Sequence, residues 1–322
     1  MLRELDLEQK PNVALPIGGL KTPLLLRDRN HNWALKMGID IHALHFLRNA
    51  KKKKPLGDTI TIGRQTLYVI NSIVKRIVGT KLSYNDQPYC EELLKEDFGA
   101  IRVDSIDYSA YENATYVHDM NKPLPADLRE KYDTVYDGGC LEHIYNAPQA
   151  LENCSLLCRP GGQILHILPT NNFCGHGFWQ FSPELFFSLY SESNGYKETE
   201  VFVADLSDTR KWYQVTAPSN GRRVTISSAT EMYVLVRTVL GRTDFSHSGV
   251  LQSDYLYEWE GTAHQKPQQS GPLYRIRRKL KEVPMAYEIL FPLYDLLLRP
   301  RLETGLNQRN PGLTMIDLKS YL

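Results

Sequence analysis

Hydrophobic and polar positions along this chain change period several times. Residues 1 to about 30 hold Pro11, Pro16, Gly18, Gly19 and Pro23, which predict an extended arm because each breaks a helix. From Asn32 to Asn49, Leu35, Ile39, His42, Leu44, Phe46 and Leu47 recur at helical spacing. Lys51 to Lys54 is a lysine run that reads as a solvated connector, or alternatively as an anionic-surface contact. Strands and helices then alternate. Asp58–Ile62 is a β-branched strand closed by Gly63, and Thr66–Val78 carries apolar residues at helical spacing. Cys90–Phe98 predicts a helix, Ala100–Ile106 a strand ending at Asp107, and Ala114–Val117 a short strand ending near Asp119. Tyr132–Asp137 reads as a strand, Ala147–Cys158 as a helix and Gln163–Leu168 as a strand. Pro183–Ser191 follows as a helix, with Ser182 as its N-cap and Pro183 at its first position. Thr199–Ala204 and Met232–Val239 are strands with no helix between them, which predicts an antiparallel edge hairpin with an insertion from about Leu206 to Thr230.

Such alternation implies a doubly wound, mostly parallel sheet with helices on both faces and its ligand at the carboxyl ends of the strands. After about Arg242 the pattern changes again. Ser246–Gly271 is polar and loop-like, and Leu273–Leu298 reads as a basic helix followed by an apolar one broken at Pro292. These C-terminal helices have three open readings: packing on the core, a homodimer contact, or a peripheral contact with a membrane surface. The organisation expected is an N-terminal arm and helix over residues 1–50, a central domain over 51–245 and a C-terminal extension over 246–322.

Composition changes little in this picture. With 42% hydrophobic residues in 322, there is ample apolar material for a core. A net charge of +1 gives no global pull toward nucleic acid, and none is expected as a partner. The five cysteines include no CxxC pair, so neither a disulfide framework nor a metal site is indicated. Cys154 and Cys158 share a helix face and read as core residues. No signal-peptide or membrane-spanning run occurs, and a reduced, cytoplasmic setting is expected.

One segment is specific. YDTVYDGGCLEHIYNAPQALENCSLLCRPGGQILHILPT, over residues 132–170, joins Tyr132-Asp133-Thr134-Val135, Leu141-Glu142-His143-Ile144 and Arg159-Pro160-Gly161-Gly162 in order. This ordered set resembles the fourth strand, following helix and fifth strand of class I S-adenosylmethionine-dependent methyltransferases, which are Rossmann-like. The resemblance implies a Rossmann-like α/β domain that binds S-adenosylmethionine. It places Asp137 and Gly138 beside the cofactor, where glycine lets a ligand approach the backbone. It implies that Asp107 accepts hydrogen bonds from the ribose diol, although a strand-end aspartate can equally start a turn. It assigns Asp119 to the adenine amino group, with Met120 flanking the ring.

The first motif departs from the family. Thr61-Ile62-Gly63-Arg64-Gln65 stands where a turn with three glycines is usual. Gly63 can still make the strand-to-helix turn, and Arg64 can pair with the methionine carboxylate. Alternatively, Arg64 and Gln65 fill the pocket. For chemistry, methyl transfer asks mainly for alignment and, at oxygen or nitrogen, sometimes a base. His176, between Gly175 and Gly177 in the loop after the fifth strand, is the candidate base or substrate contact, and His143 is a further candidate at the pocket. Phe178, Trp179 and Phe181 in the same loop read as core closure. The first functional reading is therefore a methyltransferase acting at oxygen or nitrogen of a small-molecule or sugar-like acceptor. The second, motivated by the missing glycines, is a catalytically inactive methyltransferase-like binding or assembly protein. A nicotinamide-dependent dehydrogenase is disfavoured because no GxGxxG follows the first strand.

Overall fold

The computed structural model describes residues 38–84, 87–219, 224–226, 228–242, 244–247, 249–259, 292 and 312–321. The predicted arm and the predicted helices at 273–298 lie outside the described residues, apart from Pro292. In chain order, the first elements are β1 (Gly38–Ile39), α1 (Ile41–Lys53), β2 (Gly57–Ile62), β3 (Thr66–Leu67), α2 (Asn71–Val78), α3 (Glu91–Phe98), β4 (Ala100–Asp107) and β5 (Tyr116–Val117). Then come β6 (Tyr132–Gly138), α4 (Ala147–Leu157), β7 (Cys158–Asn171), α5 (Pro183–Leu189), β8 (Tyr196–Asp205), β9 (Lys211–Val215), β10 (Met232–Leu240), α6 (Ser253–Trp259) and β11 (Leu313–Asp317).

The main sheet runs β11-β9-β8-β10-β7-β6-β2-β4-β5. The pairs from β7 through β5 are parallel. β10 runs antiparallel to both β7 and β8, which is the expected antiparallel pair, and β9 and β11 carry the sheet beyond it. The chain therefore starts in the middle at β2, winds outward to β4 and β5, and returns to β6 on the other side of β2. That reversal makes the carboxyl ends of β2 and β6 a topological switch point, where doubly wound sheets open a crevice for ligands. This is a Rossmann-like sheet whose parallel part is extended beyond β7 by the antiparallel strands β10, β8, β9 and β11.

Two apolar layers hold the sheet. On one face α4 and α5 cover Ile60, Val135, Ile164, Val203 and Val234, with Cys154 and Cys158 fully buried among them, as expected of core residues. On the other face α1, α2 and α3 cover Tyr136, Leu165, Phe202 and Leu235. Each such fully buried side chain contributes roughly 1.5–3 kcal/mol. Local signals set the helix ends. Asn146 caps α4 and Ser182 caps α5, each accepting a backbone N–H from the first turn. Gly79 and Gly99 end α2 and α3 in the left-handed conformation.

Three expectations need correction. Lys51–Lys54 is not a free connector. α1 runs through Lys53, where its cationic last turn suits the helix dipole. Lys53 pairs with Glu200 at 2.6 Å, and Lys54 donates to the Gly161 carbonyl at 2.7 Å. Thr66–Val78 is not one helix either. Thr66 and Leu67 pair with β1, and the Leu67 N–H donates to the Pro88 carbonyl, so helix begins only at Asn71. Within 246–271, expected to be loop, α6 forms where the Ser253 N–H donates to Glu184 Oε1 at 2.9 Å. The C-terminal segment also returns to the sheet, because β11 pairs antiparallel with β9 inside the predicted insertion. Among the described residues no helix is long and apolar enough to cross a membrane.

Buried and half-buried histidines give the fold an acid limit. Burial lowers His45 and His247 from 6.5 to about 4, and lowers His42 as well. His42 Nδ1 accepts from Trp212 Nε1 at 3.1 Å, and His247 Nε2 meets the Tyr196 hydroxyl at 2.8 Å. The unfolded chain takes up these protons near pH 6.5 and the folded chain only near 4, so stability is full above 6.5 and falls as pH drops through that window. Solvent screening trims the cost to roughly 1–2 kcal/mol for each of His45 and His247. Melting temperature measured from pH 7 to pH 4 should fall, and His247→Gln should flatten part of that slope. A flat profile in the wild type would show that these histidines protonate without unfolding.

Candidate active site

The crevice at the switch point is built from four strand ends. At β2, Gly63 has φ +68° and donates its N–H to the Ile106 carbonyl at 2.8 Å, which ties the turn to the end of β4. Arg64 follows, but its guanidinium is already engaged. Nε meets Glu91 Oε1 at 2.5 Å, Nη1 donates to the Glu112 carbonyl at 2.9 Å, and the group lies 3.9 Å over the Tyr89 ring. Glu91 neutralises the charge that the first motif offered to a carboxylate. Gln65 instead turns inward. It is fully buried, its Nε2 donates to the Ile62 carbonyl at 2.8 Å, and its Oε1 has no hydrogen-bond partner.

Gly138, at the end of β6, explains where Gln65 goes. A Cβ on Gly138 would collide with Gln65 Oε1 and would lie 2.8 Å from the Tyr136 hydroxyl. Tyr136 Oη is also buried and without a partner. Two orphaned polar atoms thus flank a backbone strip that only glycine leaves clear. Leaving such groups unpaired costs about 1–3 kcal/mol each. An acceptor and a hydroxyl in that position suit the ammonium and carboxylate of an amino-acid ligand. Asp107, half-buried at the end of β4, turns one carboxylate oxygen to the Ser109 N–H at 3.3 Å and suits a vicinal diol. The donor set therefore fits S-adenosylmethionine at its amino-acid and ribose ends.

The other residues named for the cofactor sit differently. Asp119 is held in its own turn. Its Oδ1 accepts from the Asn121 backbone and side chain at 3.0 and 2.8 Å, and these bonds hold its carboxyl below the usual range. Met120 is a core residue at 5% exposure, packed with Asn153. Asp137 is fully buried and points into the opposite layer. Its Oδ2 meets His166 Nδ1 at 3.0 Å, and His166 Nε2 meets the Tyr190 hydroxyl at 2.7 Å. Asp137 Oδ1 accepts the Cys140 N–H at 2.9 Å, so this chain anchors the Gly138–Cys140 turn.

Between the turn after β6 and the loop after β7, the structure brings His143 and His176 together, with Glu142 beneath them. The turn Leu141–His143 is stitched to the 173–181 loop, since the Glu142 carbonyl accepts from Phe178 N at 2.7 Å and Trp179 N at 3.3 Å. Gly177, at φ +65°, permits this approach, because a Cβ there would stand 2.8 Å from that carbonyl. The two imidazole rings lie 4.7 Å apart and nearly perpendicular. Glu142 Oε1 is 3.5 Å from His176 Nε2 and 3.9 Å from His143 Nε2. Glu142 is buried to 2% exposure, and its Oε2 has no hydrogen-bond partner. Burial raises the Glu142 carboxyl, and burial with the neighbouring His176 lowers His143. Tyr145, Phe178 and Trp179 are exposed at the rim, so of the loop aromatics expected to close the core only Phe181 does.

Glu142, Gln65 and Tyr136 were not singled out as site residues from sequence. Glu142 stood in the LEH motif, and Gln65 stood as a filler of the pocket. Nothing local marks Tyr136, whose orphaned hydroxyl is visible only once β2 and β6 are paired. A cavity of about 420 Å³ is lined by Asn171, Ser182, Glu184, Val203 and Met232 among others, and by none of the site residues named above. None of its lining residues comes from β2, β4 or β6.

No family model and no curated protein matches the sequence. Solved structures that resemble the chain include a methyltransferase-like protein from Bacillus halodurans. It is 12% identical over 64% of this chain and 100% of its own, with a TM-score of 0.34. Another is the Burkholderia thailandensis 1,6-didemethyltoxoflavin N1-methyltransferase, solved with its substrate and S-adenosylhomocysteine, at 13% identity, 63% and 78% coverage and a TM-score of 0.34. The N-methyltransferase NodS of Bradyrhizobium japonicum is 13% identical over 62% of this chain and 94% of its own, also at 0.34.

Proposed function

We propose that this protein is an S-adenosylmethionine-dependent methyltransferase acting at oxygen or nitrogen of a small-molecule or sugar-like acceptor. The observation that carries the reading is the gathering, at the carboxyl ends of β2, β4, β6 and β7, of three kinds of group. They are a glycine strip flanked by unpartnered Gln65 Oε1 and Tyr136 Oη, the strand-end carboxylate Asp107, and the Glu142–His143–His176 group. When bound, the sulfonium cofactor supplies an activated methyl group.

The chain's own residues do the rest. Gln65 Oε1 accepts from the ammonium of the methionine end, and the Tyr136 hydroxyl donates to its carboxylate. In that arrangement the Tyr136 hydroxyl takes the carboxylate contact for which Arg64 is no longer free. Asp107 accepts from the ribose hydroxyls. The exposed rings of Tyr145, Phe178 and Trp179 offer flat apolar contact to the acceptor. The Glu142–His143–His176 group favours loss of the acceptor proton.

Binding decides between this reading and that of an inactive scaffold. Calorimetry with S-adenosylmethionine and S-adenosylhomocysteine should show one site per chain, with the product form binding at least as tightly. No heat and no thermal shift at millimolar ligand would remove the enzyme reading.

A further inference from the structure

We propose that Glu142, His143 and His176 form a binding site for one divalent first-row transition-metal cation. One ligand atom from each of the three residues can be chosen so that all lie within 4.8 Å of one another. Two of the separations, 3.5 and 3.9 Å, lie close to the ~3.4 Å between ligands on a tetrahedral ion bonded at about 2.0–2.1 Å. Small turns of the two imidazoles would therefore close the set around an ion.

The second observation is independent of spacing. Glu142 is 2% exposed, yet Oε2 has no hydrogen-bond partner, while Oε1 faces the two imidazoles. A buried carboxylate with one oxygen left unpaired is costly unless a positive charge meets it. A divalent ion would satisfy Glu142 and both ring nitrogens together.

The donor set narrows the ion. Two imidazoles and one carboxylate, without thiolate, suit zinc, cobalt, iron(II) or manganese better than a hard ion such as magnesium, which prefers all-oxygen ligands. The backbone holds this set in place, since the 173–181 loop is bonded to the Glu142 carbonyl. Gly139 leaves room for the carboxylate, because a Cβ there would approach Glu142 Oε1 at 3.2 Å. Three protein ligands leave further positions open. The side chains of His143 and His176 are 41% and 19% exposed, so the open positions face the solvent side. An acceptor oxygen taken there would be made more acidic by the ion. That role in methyl transfer rests on the function proposed above, whereas the binding of the ion does not.

The test uses the untagged full chain, stripped with chelator and titrated with Co²⁺ and Zn²⁺ in separate calorimetric and absorption experiments. One ion per chain is expected, with visible Co²⁺ bands of low coordination number that Zn²⁺ abolishes. Glu142→Gln, His143→Ala and His176→Ala should each weaken Zn²⁺ by more than about tenfold. Zn²⁺ should raise the melting temperature of the wild type and not of Glu142→Gln, a comparison that separates lost ligation from lost folding. Cys174→Ser, at an exposed thiol two residues from His176, should bind as the wild type does. Loss of binding in Cys174→Ser would overturn the ligand assignment. Absence of heat and of Co²⁺ bands in wild type that still binds S-adenosylhomocysteine would overturn the metal site alone. Metal binding without any S-adenosylhomocysteine binding would overturn the enzyme reading and leave the metal site standing.

Discussion

On calorimetric titration with S-adenosylhomocysteine, Asp107→Ala is expected to bind at least about tenfold more weakly than the wild type. Asp107 closes β4, which lies beside β2 in the sheet, and the Gly63 N–H is bonded to the carbonyl just before it. Its carboxylate therefore sits at the crevice, in register with the first turn. It is half-buried, and a weak bond at 3.3 Å to the Ser109 N–H is its local structural use. Hydrogen bonds to a charged acceptor are worth about 1.5–3 kcal/mol, and tenfold in affinity is about 1.4 kcal/mol. Losing two such bonds could reach a hundredfold or more. Asp107→Asn keeps one oxygen acceptor and should lose less than Asp107→Ala. Because the local bond is weak, neither change should move the melting temperature by much. Unchanged affinity in Asp107→Ala would mean that the residue only starts its turn.

The largest effect on stability is expected at Trp212. Trp212→Ala should lower unfolding stability by about 3–5 kcal/mol, read as a fall in the urea midpoint. The indole is 1% exposed on β9 and packs against Phe46 and His45 of α1 and against Phe202 of β8. Its Nε1–H is also the donor to His42 Nδ1, so truncation opens a cavity and strips a buried acceptor at once. Trp212→Phe fills most of the space but removes the donor, and should cost about 1–3 kcal/mol. β9 carries β11 on its far side, with Ile316 opposite Trp212, so Trp212→Ala should also loosen the C-terminal strand to proteolysis. A loss below about 1 kcal/mol would show that β9 is not anchored through this ring.

The site was readable in the sequence in proportion to how local its signals were. Asp107 and Gly138 end strands, and strand ends are marked by the switch from β-branched residues to glycine and aspartate. Ser182-Pro183 announced α5 through capping chemistry alone. The fates of Arg64 and Gln65 were not readable in that way. Their alternatives, a pair with the ligand or a filled pocket, depend on Glu91, Tyr89 and Gly138, which stand far from them in sequence. Asp137 misled for the same reason. It ends a strand in a glycine-rich turn, yet the pleat turns its side chain to the face that holds His166.

By itself the sequence determined the alternation of strands and helices, the order of the LEH and RPGG motifs and hence the Rossmann-like sheet with its antiparallel pair β8 and β10. Period, capping and turn chemistry act over a few residues, so they can be read along the chain. Only the tertiary structure decided that Glu91 takes the charge of Arg64, that Gln65 lies on Gly138, that β11 returns to β9, and that Glu142 lies buried under His143 and His176. Those outcomes depend on which distant side chains share a low-dielectric space, and that is settled when the sheet closes and its two layers pack.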